Sequence, residues 1–382
     1  MSDAPGITRV SIDASAVPEN PAGAGRYVIE LVAALRHGVD VDLTVICRQG
    51  DESRWRAGGT GRPVVGAAPT RRPVRLAWEQ ARLPGLLKRL AVDVHHSPHY
   101  TMPERAQIPR VVTVHDLTFL DNPSWHEPMK VAFFRRALRA AAAQADALIA
   151  VSAATASRLE ALLVPKAPVH VIPHGVDAAR LHPVAPDDVV TTEADRSLRQ
   201  KSGVDEPYIL FVGTIEPRKD VASLVRAFDR LAAVHTGLTL VLAGAPGWGT
   251  ERVDEAIEGA VHGDRIRRLG YVDEDDKAAL LRGAAAVAYP SLEEGFGLPA
   301  LEALASGAPL VTTTGSAMEE IVGAAALLVT PGDVDSLSGA LEETLTGGSA
   351  VDARRRLGFE IASRYTWEAT AAAHAAVYRS VI

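Results

Sequence analysis

Two doubly wound parallel sheets, each flanked by helices, are the α/β architecture this sequence predicts. Short apolar runs alternate with longer helical stretches along nearly the whole chain, which is the pattern of parallel βαβ units. Each half supplies enough strands for its own sheet. At 382 residues the chain also exceeds what one hydrophobic core usually serves, so two domains are expected.

In the first half the strand candidates are residues 8–12, 42–46, 92–95, 111–114, 147–151 and 169–172. Helical stretches 25–35, 76–90, 128–145 and 153–163 lie between them. The second half repeats the scheme with strands at 208–212, 238–243, 266–269, 286–289, 309–313 and 326–329. Leu181-His182-Pro183-Val184-Ala185-Pro186-Asp187-Asp188 is polar and proline-rich, which reads as a linker. A short helix over 192–201 follows it, and a last helix covers 367–381.

Composition narrows the function classes. Hydrophobic residues make up 47% and charged residues 23%, ordinary for a globular protein. Residues 1–180 carry 22 Lys+Arg against 17 Asp+Glu, whereas the remainder carries 18 against 30. An acidic second half argues against general nucleic-acid binding, which wants a basic face. The basic first half suits an anionic acceptor or a membrane surface. The single cysteine, Cys47, excludes an intrachain disulfide and reads as a small buried residue in a strand. Met1-Ser2-Asp3-Ala4-Pro5-Gly6 has neither a basic n-region nor an apolar h-region behind it, and no apolar run is long enough to span a bilayer. A cytoplasmic protein, peripheral at most on the inner face of the membrane, is expected.

The densest chemistry lies in Ser291-Leu292-Glu293-Glu294-Gly295-Phe296-Gly297-Leu298-Pro299, which runs into the helical Ala300-Leu301-Glu302. Gly295 and Gly297 let the main chain approach a ligand, and the helix start at Leu298 offers N–H groups to an anion. Glu294 can accept bonds from sugar hydroxyls, and Glu302, about two turns on, from a second polyol such as ribose. A nucleotide-sugar site fits this arrangement; an ordinary strand–loop–helix junction with two surface acids stands beside it. After the strand at 208–212, Arg218 and Lys219 put adjacent cations on a loop stiffened by Pro217, suited to a pyrophosphate. Gly23 and Gly25 give an earlier loop freedom to approach phosphates or an acceptor. The missing third glycine and the lack of a ribose-binding acid count against a dinucleotide fingerprint, and so against a dehydrogenase. His115 closes the strand 111–114 in Val-His-Asp.

Metal sites find little support. Asp273-Glu274-Asp275-Asp276 contains an Asp-x-Asp pattern, but it precedes an apolar helix, so N-capping accounts for it better. His95, His96 and His99 crowd one strand end, where zinc is the minority reading.

The segment from Glu294 to Glu302 resembles the Glu-x7-Glu motif of family-four retaining glycosyltransferases of the GT-B fold. Val212-Gly213-Thr214-Ile215-Glu216-Pro217-Arg218-Lys219-Asp220 resembles their donor-phosphate loop, and Gly23-Ala24-Gly25-Arg26-Tyr27 their N-terminal glycine loop. The motifs occur in family order over nearly the whole chain. The resemblance implies two Rossmann-like domains facing across a cleft: 1–182 on the acceptor side, 183–366 binding the nucleotide sugar, and 367–382 packing back on the first. It implies His115 beside the donor sugar and the loop at Val272 holding the base. Donor contacts would come from Gly295, Phe296, Gly297, Leu298 and Glu302, with His115, Lys219, Arg218 and Glu294 nearest the chemistry. Many relatives carry arginine where this chain has Thr214; Arg218 either replaces that charge or points to solvent.

The motif variants look most like members that build cell-surface polysaccharide or glycolipid from GDP-mannose, without a metal, on a glycan or lipid-linked acceptor. UDP-, ADP- and dTDP-sugars are alternative donors on the same scaffold. A nucleotide-sugar 2-epimerase and a non-catalytic sugar-nucleotide-binding scaffold are the alternative functions. The helical stretch 76–90, with Leu83, Leu86, Leu87 and Leu90 on one stripe, and the basic helix around Lys130, Arg135, Arg136 and Arg139 either dock on anionic lipid or face the protein's own core.

Overall fold

The computed structural model describes residues 7–21, 23–56, 63–185 and 187–382. The N-terminal segment Met1–Gly6 and Pro186 of the linker, both used in the sequence reading, lie outside the described residues. The chain divides into two compact units, Met1–Gly175 with Trp367–Ile382, and Val176–Thr366. Val176 and Thr366 form a parallel bridge, and the Val176 N–H donates to the Tyr365 carbonyl at 2.9 Å. Residues 176–182 therefore belong with the second unit.

The first unit is built on strands β1 (Thr8–Asp13), β2 (Val41–Arg48), β3 (Val64–Ala68), β4 (Val94–Ser97), β5 (Arg110–Val114), β6 (Ala147–Ala150) and β7 (Val169–Val171). They pair in parallel in the order β3-β2-β1-β4-β5-β6-β7. β1, β2 and β4 to β6 are nearly all buried, which suits strands covered on both faces. β3 was not anticipated. It is an edge strand, half-buried over most of its length, with a central Gly66 that weakens its strand pattern.

The anticipated helix 76–90 is two helices, Arg72–Ala81 and Leu83–Leu90. Pro84 sits in the first turn of the second, where its missing N–H costs nothing, but it cannot continue a helix from the residues before it. Leu83 and Leu87 are buried against Ile46, Val92 and Ala106, with Leu86 and Leu90 packed beside them. The leucine stripe therefore faces the protein's own core and not a membrane.

The helix Trp367–Ser380 lies on the helix Ala24–Gly38, placing Ala371, Ala375, Val377 and Tyr378 in a core with Tyr27, Leu31 and Leu35. Small residues at 371 and 375, one helical turn apart, let the two backbones come close.

The second unit holds β8 (Tyr208–Val212), β9 (Thr239–Ala243), β10 (Ile266–Gly270), β11 (Ala286–Tyr289), β12 (Leu310–Thr313) and β13 (Leu327–Val329). Their order is β10-β9-β8-β11-β12-β13, again all parallel. In such sheets the chain winds outward in opposite directions from the central pair, opening a crevice at the carboxyl ends where the order reverses. That point lies between β8 and β11 here, and between β1 and β4 in the first unit. No helix among the described residues is long and apolar enough to cross a membrane.

Candidate functional site

The β8/β11 switch point brings the cationic loop and the acidic loop of the second unit together. After β8 the chain makes a single 3₁₀ turn, Pro217–Lys219, then passes through Asp220 in the left-handed region (φ 47°) to start the helix Val221–Ala232. After β11 it runs to Gly297, whose φ of 90° and approach to Met318 leave no room for a side chain. The helix Leu298–Ala305 begins there without a side-chain cap. The Leu292 N–H donates to the Arg218 carbonyl at 2.8 Å and locks the two loops edge to edge.

Four charges meet in this frame. The Glu294 carboxylate pairs with Arg218 through Oε2 at 2.8 Å and with Lys219 through Oε1. Arg218 also pairs through Nε with Glu216 at 2.5 Å, so it points inward and not to solvent. Lys219 Nζ donates to the Tyr289 hydroxyl and sits 4.7 Å from the centre of that ring. Burial pushes the Lys219 ammonium down, with Arg218 adding to the effect and Glu294 and Glu216 opposing it. Burial alone would raise the Glu294 carboxyl, but Arg218 and Lys219 outweigh it and bring it to about 2. Glu294 is therefore ionised at neutral pH.

Glu302 is buried one helix away, 2.7 Å from Lys277 Nζ, which also reaches Glu274 at 2.9 Å. Burial acts to lower Lys277, but Glu302 and Glu274 carry it above its ordinary value. Gly295, Phe296 and Gly297 are buried, and the Phe296 ring packs edge-on against Tyr365, so Phe296 offers a ligand its main chain at most. Leu298 opens the helix and is half-buried. Val272 is half-buried in the turn after β10. Next to it, Asp273 caps the helix Glu274–Gly283, accepting the N–H groups of Asp275 at 3.0 Å and Asp276 at 2.8 Å. The Asp-x-Asp carboxylate is thus spent on the helix start, as the capping reading held.

Sequence reasoning missed Tyr289, Glu216 and Lys277 as partners in this site. Tyr289 ends an apolar strand and read as core; only its place just before the acidic loop could have flagged it. Lys277 lies one turn into a capped helix, where a surface ion pair was the ordinary expectation.

In the first unit His115 follows β5. Its Nε2–H donates to the Pro98 carbonyl at 2.8 Å, and its ring meets Tyr27 edge-on at 4.9 Å. Burial lowers its pKa, opposed by Pro98 and Asp116, so the ring is neutral and Nδ1 is its acceptor. Asp116 accepts the Thr118 N–H at 3.2 Å and the Thr118 hydroxyl at 2.9 Å, which explains the acid after His115 as a turn former. Gly23 precedes the helix Ala24–Gly38 with φ 43° and open space beside it. Gly25 lies inside that helix and is buried, and a Cβ there would crowd Pro21 and Pro18. Close packing against Pro18 and Pro21 is one reason for a glycine at 25.

Of the three crowded histidines, His96 belongs to a directed chain of hydrogen bonds. His374 Nδ1 faces the Thr370 carbonyl at 2.7 Å and must donate to it, so Nε2 accepts from the Tyr27 hydroxyl at 2.8 Å. With the Tyr27 proton spent, Thr113 donates to Tyr27 at 3.0 Å and accepts from His96 Nε2 at 2.8 Å. His96 Nδ1 then accepts from Tyr378 at 2.8 Å. His95 Nδ1 is 2.9 Å from Ser11 Oγ. Among the described residues no three His, Cys, Asp or Glu side chains are grouped to hold a metal ion. Cys47 is buried, and burial followed by Glu52 and Asp51 pushes its thiol up to about 12, far from a nucleophile.

Two family models match the chain. One, described as "Glycosyl transferases group 1", covers residues 195–361, and the other, "Glycosyltransferase Family 4", covers residues 21–180. The chain is similar to O-antigen chain mannosyltransferase B of Escherichia coli, 27% identical over 366 residues that span 91% of this chain and 93% of the relative. It is also similar to the MMP alpha-(1→4)-mannosyltransferase of Mycolicibacterium hassiacum, 31% identical over 269 residues, 68% of this chain and 60% of the relative. Among solved structures, a sucrose-phosphate synthase from Thermosynechococcus elongatus superposes with a TM-score of 0.79 at 20% identity, covering 98% of this chain and 99% of that one. That last likeness is one of fold.

Proposed function

Because this chain belongs to the family-four glycosyltransferases and has their GT-B fold of two Rossmann-like domains, we propose that it transfers mannose from GDP-mannose, with retention, to a glycan or lipid-linked acceptor in cell-surface polysaccharide or glycolipid synthesis. The observation that carries the donor reading is the pairing of Glu294 with both Arg218 and Lys219 at the β8/β11 switch point. Cations beside a buried carboxylate suit a diphosphate joined to a hydroxyl-rich sugar. The names of the two mannosyltransferase relatives favour mannose.

In this reading Lys219 and Arg218 take the diphosphate charge and remove the need for a metal. The Leu298 N–H, at a helix start without a side-chain cap, adds to them; Pro299 has no N–H, and those of Ala300 and Leu301 donate to the Gly297 carbonyl. Glu294 accepts from sugar hydroxyls, Glu302 from the ribose, and the main chain at Val272 meets the base. On the first unit, His115 Nδ1 offers an acceptor for a sugar hydroxyl. The bond from C1 to the phosphate oxygen breaks as the acceptor oxygen bonds C1 on the same face. The acceptor proton passes to the departing phosphate, so no protein nucleophile is needed, and the carboxylate pair is not cast as in a glycosidase. Exposed Val74 and Met129, beside Arg71, Arg72 and Lys130, are the residues left to touch anionic lipid. Flotation with anionic vesicles at low salt tests that contact, and failure to float removes it.

Thermal stabilisation by GDP, UDP, ADP, dTDP and GDP-mannose, side by side in EDTA, tests the donor. A shift selective for GDP and GDP-mannose is expected. Selectivity for another nucleotide replaces the donor, and no shift with any of the five refutes the site. Release of an epimer without acceptor would mark a 2-epimerase, and binding without transfer or hydrolysis a scaffold. The anomeric configuration of the product, read by NMR, tests retention.

A further inference from the structure

The cluster at the β8/β11 switch point holds as many carboxylates as cations. Arg218 lies between Glu216 at 2.5 Å and Glu294 at 2.8 Å, and Lys219 is taken by Glu294 and the Tyr289 hydroxyl. With those partners in place, a diphosphate meets no net positive charge there. Neither cation can swing out to find a second anion. Lys219 is 6% exposed and pinned by Tyr289, and the Arg218 guanidinium is held by Glu216 and donates through Nη1 to the Glu293 carbonyl at 3.3 Å. Glu294 is the member carried on a loop, between Glu293 and Gly295.

On the donor reading above, we propose that Glu294 is a placeholder for the donor diphosphate: its carboxylate holds the anion position on Lys219 and Arg218, and a diphosphate binding there displaces it. Carboxylate and phosphate oxygens offer a guanidinium and an ammonium the same charged acceptors, so one can stand in for the other. The displaced carboxylate must find new donors, because a buried unpartnered charge is costly. The hydroxyls of a sugar attached to the diphosphate supply them.

Gripping the phosphate and gripping the sugar thereby become one event. A nucleotide sugar satisfies both the cations and Glu294. A bare nucleoside diphosphate satisfies the cations but strands Glu294, so the returning carboxylate competes with it. The exchange favours donor over product and hastens product release.

The test is calorimetric titration of wild type and Glu294→Gln with inorganic pyrophosphate, GDP and GDP-mannose. The amide keeps the shape of the side chain and gives up its claim on the two cations. Pyrophosphate and GDP are expected to bind the variant about tenfold more tightly than wild type. The preference for GDP-mannose over GDP is expected to shrink, and transfer to be lost. Equal or weaker pyrophosphate binding by the folded variant overturns the proposal and leaves the transferase reading standing. Should Glu294→Gln fail to fold, Glu216→Gln, which frees the other side of Arg218, is expected to tighten pyrophosphate by a smaller factor; no tightening there overturns it as well. Pyrophosphate tightening without GDP binding refutes the guanine assignment and supports the placeholder. If pyrophosphate and every nucleoside diphosphate fail to bind wild type and variants alike, the donor site itself is refuted, and the placeholder with it.

Discussion

Replacing Glu79 with glutamine should change how the stability of the protein depends on pH. Glu79 is 1% exposed on the helix Arg72–Ala81, in the wall of a cavity of about 60 Å³ that Leu76, Thr101, Phe133 and Arg136 also line. Its Oε2 accepts from the Thr101 hydroxyl at 2.9 Å and its Oε1 from the Gln80 amide at 3.2 Å. Burial, and next the charge of Asp13, raise its carboxyl from the ordinary 4.5 to about 8, against the smaller pull of Thr101 and Arg75. The folded protein therefore keeps a proton that the unfolded chain releases. The stability due to the neutral carboxyl is full below pH 4.5, falls between pH 4.5 and 8, and is constant above that. At about 1.36 kcal/mol per pH unit the whole loss is about 5 kcal/mol. A glutamine can donate to Thr101 and accept from Gln80 without titrating. Glu79→Gln is expected to match or trail wild type at pH 5 and to exceed it by about 3–5 kcal/mol at pH 9. That corresponds to about 10 °C in Tm. Paired urea and thermal denaturation from pH 5 to 9 is the assay. A difference between the two proteins that stays constant over this range would refute a neutral, proton-holding Glu79.

Lys219→Ala and Glu294→Ala are each expected to lower kcat/KM by about 10²–10³ while leaving near-native circular dichroism; near-normal turnover in both would mean that the donor site lies elsewhere. Tyr378→Phe removes the hydroxyl that donates to His96 Nδ1 and leaves a buried acceptor unpaired, for a loss of about 1–3 kcal/mol. An unchanged urea midpoint would show that the hydrogen-bond chain is not oriented as derived.

Most strands were legible because a parallel sheet buried on both faces leaves continuous apolar runs, as in Tyr208–Val212 and Ala286–Tyr289. β3 escaped because Val64-Val65-Gly66-Ala67-Ala68 is a short edge strand with a central glycine. The break between Leu83–Leu90 and the helix before it was written in Pro84, but the leucine periodicity runs through the proline and outweighed it. The acidic and cationic loops were legible because both follow strands of one sheet. Their exact partners were not. Tyr289 meets Lys219 across 70 positions and Tyr378 meets His96 across 282, and no local period records contacts of that range. Gly25, which suggested access for a ligand, also has a packing reason that no local pattern records: its hydrogen makes room for Pro18 and Pro21.

Thr214 stands where an additional fixed cation was expected, and the geometry shows why Arg218 is not a simple substitute for it. An arginine held by one carboxylate would still present positive charge to a ligand, but Arg218 is held by two, Glu216 and Glu294. The cluster is therefore close to neutral until one carboxylate leaves. Of the two, Glu216 sits on the same short turn as Arg218 and moves with it, whereas Glu294 comes from a different loop. Attraction for a diphosphate thus arises chiefly as Glu294 departs, and the energy for that departure must come from whatever Glu294 binds next. A site with a permanent surplus of cations would hold any diphosphate. One that creates its surplus by releasing a carboxylate is selective for a diphosphate that brings hydroxyl groups with it.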